Sequence, residues 1–94
     1  MLALSVTLKA KPGKAGAVID LLRELAACTR AEPGCHFYVV GPGPDADTVV
    51  MLERYADKDA FRAHATSPHI ATFGPRLNAV LECPPQPVFF VESD

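Results

Sequence analysis

Residues 35–55, "CHFYVVGPGPDADTVVMLERY", contain two short runs of aromatic and β-branched residues on either side of a loop. Such runs favour β-strands, which predicts strands over 35–40 and 48–55. The intervening segment 41–47 is rich in glycine, proline and aspartate, which favour tight turns. Because this loop is short, the two strands are predicted to pair as an antiparallel hairpin.

The segment before the hairpin changes from a strand pattern to a helical one. Residues 2–9 alternate between large aliphatic side chains and smaller or polar ones, which predicts a strand with one buried face. After a turn at 11–14, apolar residues recur at helical spacing over 14–31, and this stripe predicts a helix that packs on the sheet. The helix is predicted to end at 32–34, "EPG", because proline disfavours helical backbone in the residue before it and glycine allows the chain to leave a helix.

The C-terminal half begins with two short helical pieces. Asp57 and Ser67 are of the residue types that cap helix N-termini, and Pro68 suits the first helical position. We expect helices over 58–66 and 68–73. The Gly-Pro pair that follows, residues 74–75, is expected to interrupt the second helix, which could resume beyond it.

The end of the chain completes the sheet. Segment 83–87, "CPPQP", is expected to be extended and unpaired at its prolines, which lack the N–H that a strand ladder needs. Segment 88–92 is predicted to be the last strand. The order is then β-α-β-β-α-β, the ferredoxin-like α+β arrangement, with one four-stranded antiparallel sheet and helices on one face. A chain of 94 residues has room for one core, so we expect a single domain over 1–94.

The predicted strands carry apolar residues on both of their faces. Neighbouring residues of a strand point to opposite faces, yet both members of pairs such as Phe37 and Tyr38, or Met51 and Leu52, are apolar. Helices cover only one face, and a face open to water would carry polar residues. We therefore expect the second face to be buried by another copy of the chain, in a homodimer.

Composition and charge exclude several classes of function. The hydrophobic share of 49% and charged share of 21% indicate a folded globular protein. The net charge is −2 and no run of lysine or arginine exists, so neither nucleic acid nor a membrane is an expected partner. The N-terminal residues lack the pattern of a signal peptide, so we expect a cytoplasmic protein. The three cysteines include no CxxC pair, so a disulfide framework and a structural zinc site are not expected.

The residues most capable of acid–base chemistry are concentrated in "FRAHATSPHIATFG", residues 61–74. His64 lies three positions after Phe61, so on a helix it belongs to the apolar, inward face. It could act as a proton acceptor or hydrogen-bond donor on the wall of a cavity between helix and sheet, or it could be a core histidine that the backbone satisfies. His69 follows the second helix cap. It is a candidate for a second polar residue of the cavity wall, or an exposed side chain.

A metal site is not expected from the histidine spacing. His36, His64 and His69 could approach one another in space, but side chains five residues apart on a regular helix point about 140° apart. The two helix histidines could chelate an ion only if the break at Ser67-Pro68 turned one of them back. No glycine-rich nucleotide-binding motif is present either.

Three segments in order resemble the antibiotic biosynthesis monooxygenase (ABM) family of dimeric α+β barrels. They are an "EPGC" turn into the second strand, a "LERY" end to the third strand and an "AHATSPH" helix pair. The resemblance covers essentially the whole chain. It implies a dimeric α/β barrel, and it matches His64 and His69 to the two helix histidines of the family. Tyr55 stands where the family usually has a tryptophan.

The family resemblance also implies an activity. Members are small oxygenases that act on quinols and polycyclic aromatic compounds with O2, typically without flavin, haem or metal. On this reading the chain is a cofactor-independent monooxygenase with His64 and His69 as catalytic residues. Tyr55, Phe61 and Phe73 are the expected substrate-binding residues.

Three other functions fit the same resemblance. One is a small-ligand-binding dimer without turnover, and another is an isomerase of a lactone or dienol, which needs a comparable pocket and base. The third is a haem-degrading monooxygenase. Haem-degrading relatives use a tryptophan to support a distorted porphyrin, and this chain has no tryptophan, which counts against haem degradation.

Overall fold

The computed structural model describes all residues from Met1 to Asp94 and contains one antiparallel sheet and three helices. The strands lie in the order β2-β3-β1-β4. This arrangement confirms the predicted ferredoxin-like α+β fold. In chain order the elements are β1 (Leu2–Lys9), α1 (Ala15–Arg30), β2 (Cys35–Pro42), β3 (Thr48–Tyr55), α2 (Lys58–Ala65), α3 (Pro68–Asn78) and β4 (Gln86–Val91).

The hydrophobic core lies between the helices and the inner face of the sheet. The predicted stripe of α1 is buried at Val18, Leu22 and Leu25, and it faces the alternate residues of β1 and β3. Burying an aliphatic side chain of this size stabilises the fold by about 1.5–3 kcal/mol. The predicted bounds of α1 agree with the structure to within one residue at each end.

Side-chain hydrogen bonds cap the N-termini of the two short helices, α2 and α3. The Asp57 carboxylate accepts a hydrogen bond from the backbone N–H of Ala60 at 2.8 Å and begins α2. The Ser67 hydroxyl accepts one from the N–H of Ile70 at 3.4 Å and begins α3. Because the backbone of Ser67 is extended, the chain leaves helical geometry between α2 and α3, and α3 takes a direction of its own.

The expected interruption of α3 at Gly74-Pro75 does not occur, since the helix continues to Asn78. A proline clashes mainly with the Cβ and N–H of the residue before it, and Gly74 has no Cβ. The apolar side chains of Phe73 and Leu77, on either side of the pair, pack against the core. Their burial favours one continuous helix over a break.

The last strand also differs from the prediction, because β4 spans Gln86–Val91 and includes a proline. Pro87 lies opposite Val6 of β1, where the sequence predicted an unpaired segment. The strand is at the edge of the sheet and pairs on one side only. An edge strand tolerates a proline because half of its N–H groups have no ladder partner.

The outer face of the sheet is apolar and carries no helix. The exposed fraction is 42% for Phe37, 47% for Leu52, 53% for Phe90 and 64% for Val88. Leu52 lies near the middle of this face, opposite Val39 on one side and Ser5 on the other. We call this surface the outer sheet face. None of the helices has the length and hydrophobicity needed to cross a membrane.

Candidate active site

A cavity of about 230 Å³ lies between the sheet and helices α2 and α3. Its walls are mostly aliphatic and aromatic, and the polar groups that reach it are Tyr38, Glu53 and His64. Of the predicted site residues, His64 and Phe61 line this cavity. Mostly apolar walls with a few polar groups are typical of small-molecule sites.

His64 is buried on the inner side of α2, with only 6% of its surface exposed. Its Nδ1 lies 3.0 Å from Oε1 of Glu32, so Nδ1–H donates to the carboxylate. The opposite ring nitrogen, Nε2, lies 3.7 Å from Oε1 of Glu53, which is too far for a hydrogen bond. Burial lowers the pKa of His64, although the charge of Glu32 partly opposes the effect. The ring is therefore held neutral, with Nε2 free to accept a proton.

His69 meets the same carboxylate from the other side. Its Nε2 lies 2.8 Å from Oε2 of Glu32, and its ring centre is 6.2 Å from that of His64. The break before Ser67 is what brings the two rings together, since on one continuous helix they would point apart. The Glu32 carboxylate thus pairs with both imidazoles: Oε1 with His64, and Oε2 with His69 and, at a longer 3.3 Å, with His64 Nδ1.

The third histidine does not join the other two. His36 is exposed on β2 and lies outside the cavity, so the possible convergence of three histidines is not what the structure shows. Glu32 occupies the central position instead. Sequence reasoning treated Glu32 only as part of the turn that ends α1, because nothing in a sequence indicates which later helix packs against that turn.

The "EPG" turn packs very closely against α2. A Cβ added to Gly34 would overlap the Cβ of Ala60, which is closer than side chains can approach. The N–H of Ala56 donates to the carbonyl of Gly34 at 2.9 Å and fixes the same contact. Only glycine fits at position 34, because the turn approaches Ala60 of α2 so closely. The same close packing brings Glu32 within reach of His64.

The donor atoms of Glu32, His64 and His69 lie within 4.8 Å of one another. Two imidazoles and a carboxylate are a donor set that transition metals accept. Each carboxylate oxygen is, however, already paired with an imidazole nitrogen. Hydrogen bonding therefore explains the arrangement of the three side chains without an ion.

A second buried carboxyl group faces His64 from the sheet. Glu53 is only 5% exposed, and its Oε1 accepts a hydrogen bond from the Tyr55 hydroxyl at 2.6 Å. Burial raises the pKa of Glu53, and the Tyr55 hydrogen bond opposes this shift. Sequence reasoning missed Glu53. The strand alternation contained a usable signal, because Glu53 lies between the inward positions Met51 and Tyr55.

The predicted substrate-binding aromatics occupy three different environments. Phe61 lines the cavity and stacks edge-on against Tyr55, with ring centres 5.4 Å apart. Tyr55 is fully buried and lies behind the cavity wall, where it contacts Glu53. Phe73 does not line the cavity, and its ring lies 4.9 Å from the guanidinium carbon of Arg76.

Comparison with known proteins gives consistent results for fold and family. The model of the family described as "Antibiotic biosynthesis monooxygenase" matches residues 1–76. A Mycobacterium tuberculosis protein named "Putative monooxygenase Rv0793" is 31% identical over 74 residues, which cover 79% of this chain and 73% of that protein.

Solved structures extend the similarity to the whole chain. The structure of Rv0793 superposes with a TM-score of 0.90 at 27% identity, over 99% of this chain and 95% of the other. PA3566 from Pseudomonas aeruginosa superposes with a TM-score of 0.89 at 30% identity, over 99% and 94% of the two chains. The fold, the family match and these relatives agree, and the chain belongs to the antibiotic biosynthesis monooxygenase family.

Proposed function

We propose that the protein is a cofactor-independent monooxygenase that oxidises a quinol or related aromatic compound with O2. The observation that carries the proposal is a buried imidazole that lines a mostly apolar cavity, with Nδ1 held by the Glu32 carboxylate and Nε2 without a hydrogen bond. A quinol that loses a proton becomes electron-rich enough to reduce dioxygen itself. The protein then has to bind the quinol, accept its proton and keep water away from the intermediates.

In this proposal His64 is the catalytic base. Its Nε2 takes the hydroxyl proton of the quinol, and the resulting imidazolium is stabilised by the Glu32 carboxylate at Nδ1. His69 acts on the far side of Glu32, because its hydrogen bond fixes the carboxylate in place. Phe61 packs against the aromatic ring of the substrate, and Tyr55 and Phe73 support the site from outside the cavity wall.

The cavity volume indicates the size of the substrate. About 230 Å³ is below the range of roughly 300–1,000 Å³ that is typical for drug-sized ligands. We therefore propose a compound with one or two fused rings as the first to test. A bicyclic quinol such as 1,4-dihydroxynaphthalene is the substrate with which we would begin.

Oxygen uptake with 1,4-dihydroxynaphthalene tests the proposal directly. We expect uptake above the autoxidation rate without added flavin, haem or metal, and the same rate after dialysis against a chelator. An oxygen electrode and chromatography of the products measure both. Addition of haemin should produce no Soret shift. A rate equal to autoxidation, or one that disappears on chelation and returns with metal, would contradict the proposal.

Replacing Glu32 by glutamine tests the orientation of the base. Glutamine keeps the shape but removes the charge that favours the His64 imidazolium, so we expect kcat to fall on the order of 10²-fold. Burial lowers the pKa of His64, so the acidic limb of kcat/KM already lies below the ordinary range for a histidine, because neutral His64 is the active form. Loss of the Glu32 charge lowers the pKa of His64 further, so the limb should move to lower pH.

The pH profile separates this role from a structural one. The titratable groups that face His64 are Glu32 from the α1–β2 turn, His69 from α3, Tyr38 from β2, and Glu53 and Tyr55 from β3. A variant that merely loosened the fold would lose activity without moving the limb. Glu82→Gln, at an exposed residue that does not line the cavity, is the matched control. An unmoved limb in Glu32→Gln would remove Glu32 from the mechanism.

We also propose that two protomers associate through the outer sheet face in the cytoplasm. The support is the apolar character of that face, on which Phe37, Leu52 and Phe90 are each more than two-fifths exposed. Monomeric proteins seldom leave a contiguous apolar surface of this kind open to water. A closed two-fold dimer would bury this face of one protomer against the same face of the other.

A further inference from the structure

We propose that Glu53 is a second proton-transfer residue of the cavity, and that it delivers a proton to the reduced dioxygen after His64 has taken the proton of the quinol. The inference rests on the proposed monooxygenase function. It adds an acid to a site for which sequence and family resemblance supply only histidines.

The position of Glu53 supports this role. It extends from the sheet into the same cavity as His64, and its Oε1 lies 3.7 Å from Nε2 of His64. A substrate placed at Nε2 therefore also lies next to the Glu53 carboxyl. Oε1 is held by the Tyr55 hydroxyl, whereas Oε2 makes no hydrogen bond within the chain. Oε2 is thus free to interact with a bound molecule.

The surroundings of Glu53 favour its protonated form. Burial is the main cause, and the negative charge of Glu32 adds to it. His64 is shifted in the opposite sense, toward the neutral base. Two neighbouring groups whose environments favour a neutral base and a neutral acid form a suitable pair for moving protons in both directions.

The chemistry balances with O2 as the oxidant. His64 takes the O–H proton of 1,4-dihydroxynaphthalene, the anion reduces O2, and a C–O bond forms to give a peroxide anion on the ring. Glu53 protonates this anion. The carboxylate then removes the ring C–H proton as the C=O bond forms and the O–O bond breaks. Hydroxide leaves and takes the proton from His64, so one quinol and one O2 give one hydroxyquinone and one water.

The test replaces Glu53 by glutamine, which keeps an oxygen for the Tyr55 hydroxyl to donate to but cannot supply a proton. We expect hydroxyquinone formation to fall on the order of 10²-fold or more. The unprotonated peroxide anion should instead leave the ring and be released as H2O2. The product is then the quinone without the added hydroxyl group. The ratio of hydroxyquinone to H2O2 is measured by chromatography and a peroxidase assay, with Glu82→Gln as the matched control.

The ionisation of the bound quinol distinguishes proton removal by His64 from proton delivery by Glu53. Without O2, the pH at which the bound quinol ionises, followed by absorbance, should be the same in Glu53→Gln as in the wild type because His64 is intact, whereas it should rise in His64→Ala. If Glu53→Gln makes hydroxyquinone at the wild-type rate, Glu53 is not the donor. If the wild-type protein consumes no O2 above autoxidation, the proposed function itself fails, and the two failures are distinct.

A second variant tests the same role without touching the carboxyl. Tyr55→Phe removes the hydrogen bond that favours the Glu53 carboxylate, so the pKa of Glu53 should rise further. The alkaline limb of the rate, where Glu53 loses its proton, should move to higher pH. The other titratable groups around Glu53 are His64 on α2, Glu32 in the turn, and Cys35 and Tyr38 on β2. A limb that stays in place would contradict the assignment.

Discussion

Replacing His64 by alanine should reduce oxygen consumption with a quinol by about 10²–10⁴-fold, the usual contribution of a general base. The expected effect is large because His64 is the one histidine that lines the cavity, while His69 does not line it and is bonded to Glu32. The measurement is initial O2 uptake at saturating substrate, after subtraction of autoxidation.

The matched control for His64→Ala is His36→Ala, since His36 is exposed and does not line the cavity. The control should retain the full rate. Circular dichroism and the thermal unfolding midpoint show whether the His64 variant is folded, because truncating a buried ring leaves a void. A folded His64→Ala protein with wild-type turnover would eliminate the imidazole as the base and direct attention to Glu53.

Replacing Leu52 by aspartate should convert the dimer to a monomer. In the proposed dimer both copies place this residue near the centre of the outer sheet face, so each interface would contain two buried carboxylates without partners. One such uncompensated charge costs about 3–5 kcal/mol. Each 1.4 kcal/mol is about tenfold in affinity, so even one charge weakens association by about 10²–10³-fold or more.

Light scattering after gel filtration measures this change directly. The wild-type protein should have twice the chain mass of 10.1 kDa, and Leu52→Asp should have the chain mass alone. Ala63→Asp, an equivalent substitution on the exposed side of α2, should remain dimeric. A wild-type monomer at micromolar concentration, or a dimeric Leu52→Asp variant, would show that the outer sheet face is not the interface.

The candidate site was partly accessible to sequence reasoning. His64 could be placed on the inward side of α2 because it lies one helical turn after Phe61, and the structure buries it there. Glu53 was predictable in principle from strand alternation. Glu32 was not, because its role depends on the close approach of the "EPG" turn to α2 at Gly34 and Ala60. That contact joins segments of the chain about 26 positions apart, and no local pattern encodes it.

The amino-acid sequence alone determined the secondary elements, their order and the two-faced apolar character of the sheet. Those features follow from periodicity, caps and turn residues, which act over a few neighbouring positions. Tertiary structure alone decided that Pro87 pairs at a sheet edge, that α3 continues through Pro75, and that one carboxylate joins two histidines. Each of these depends on burial and on contacts between distant segments, and such contacts exist only once the helices have packed on the sheet.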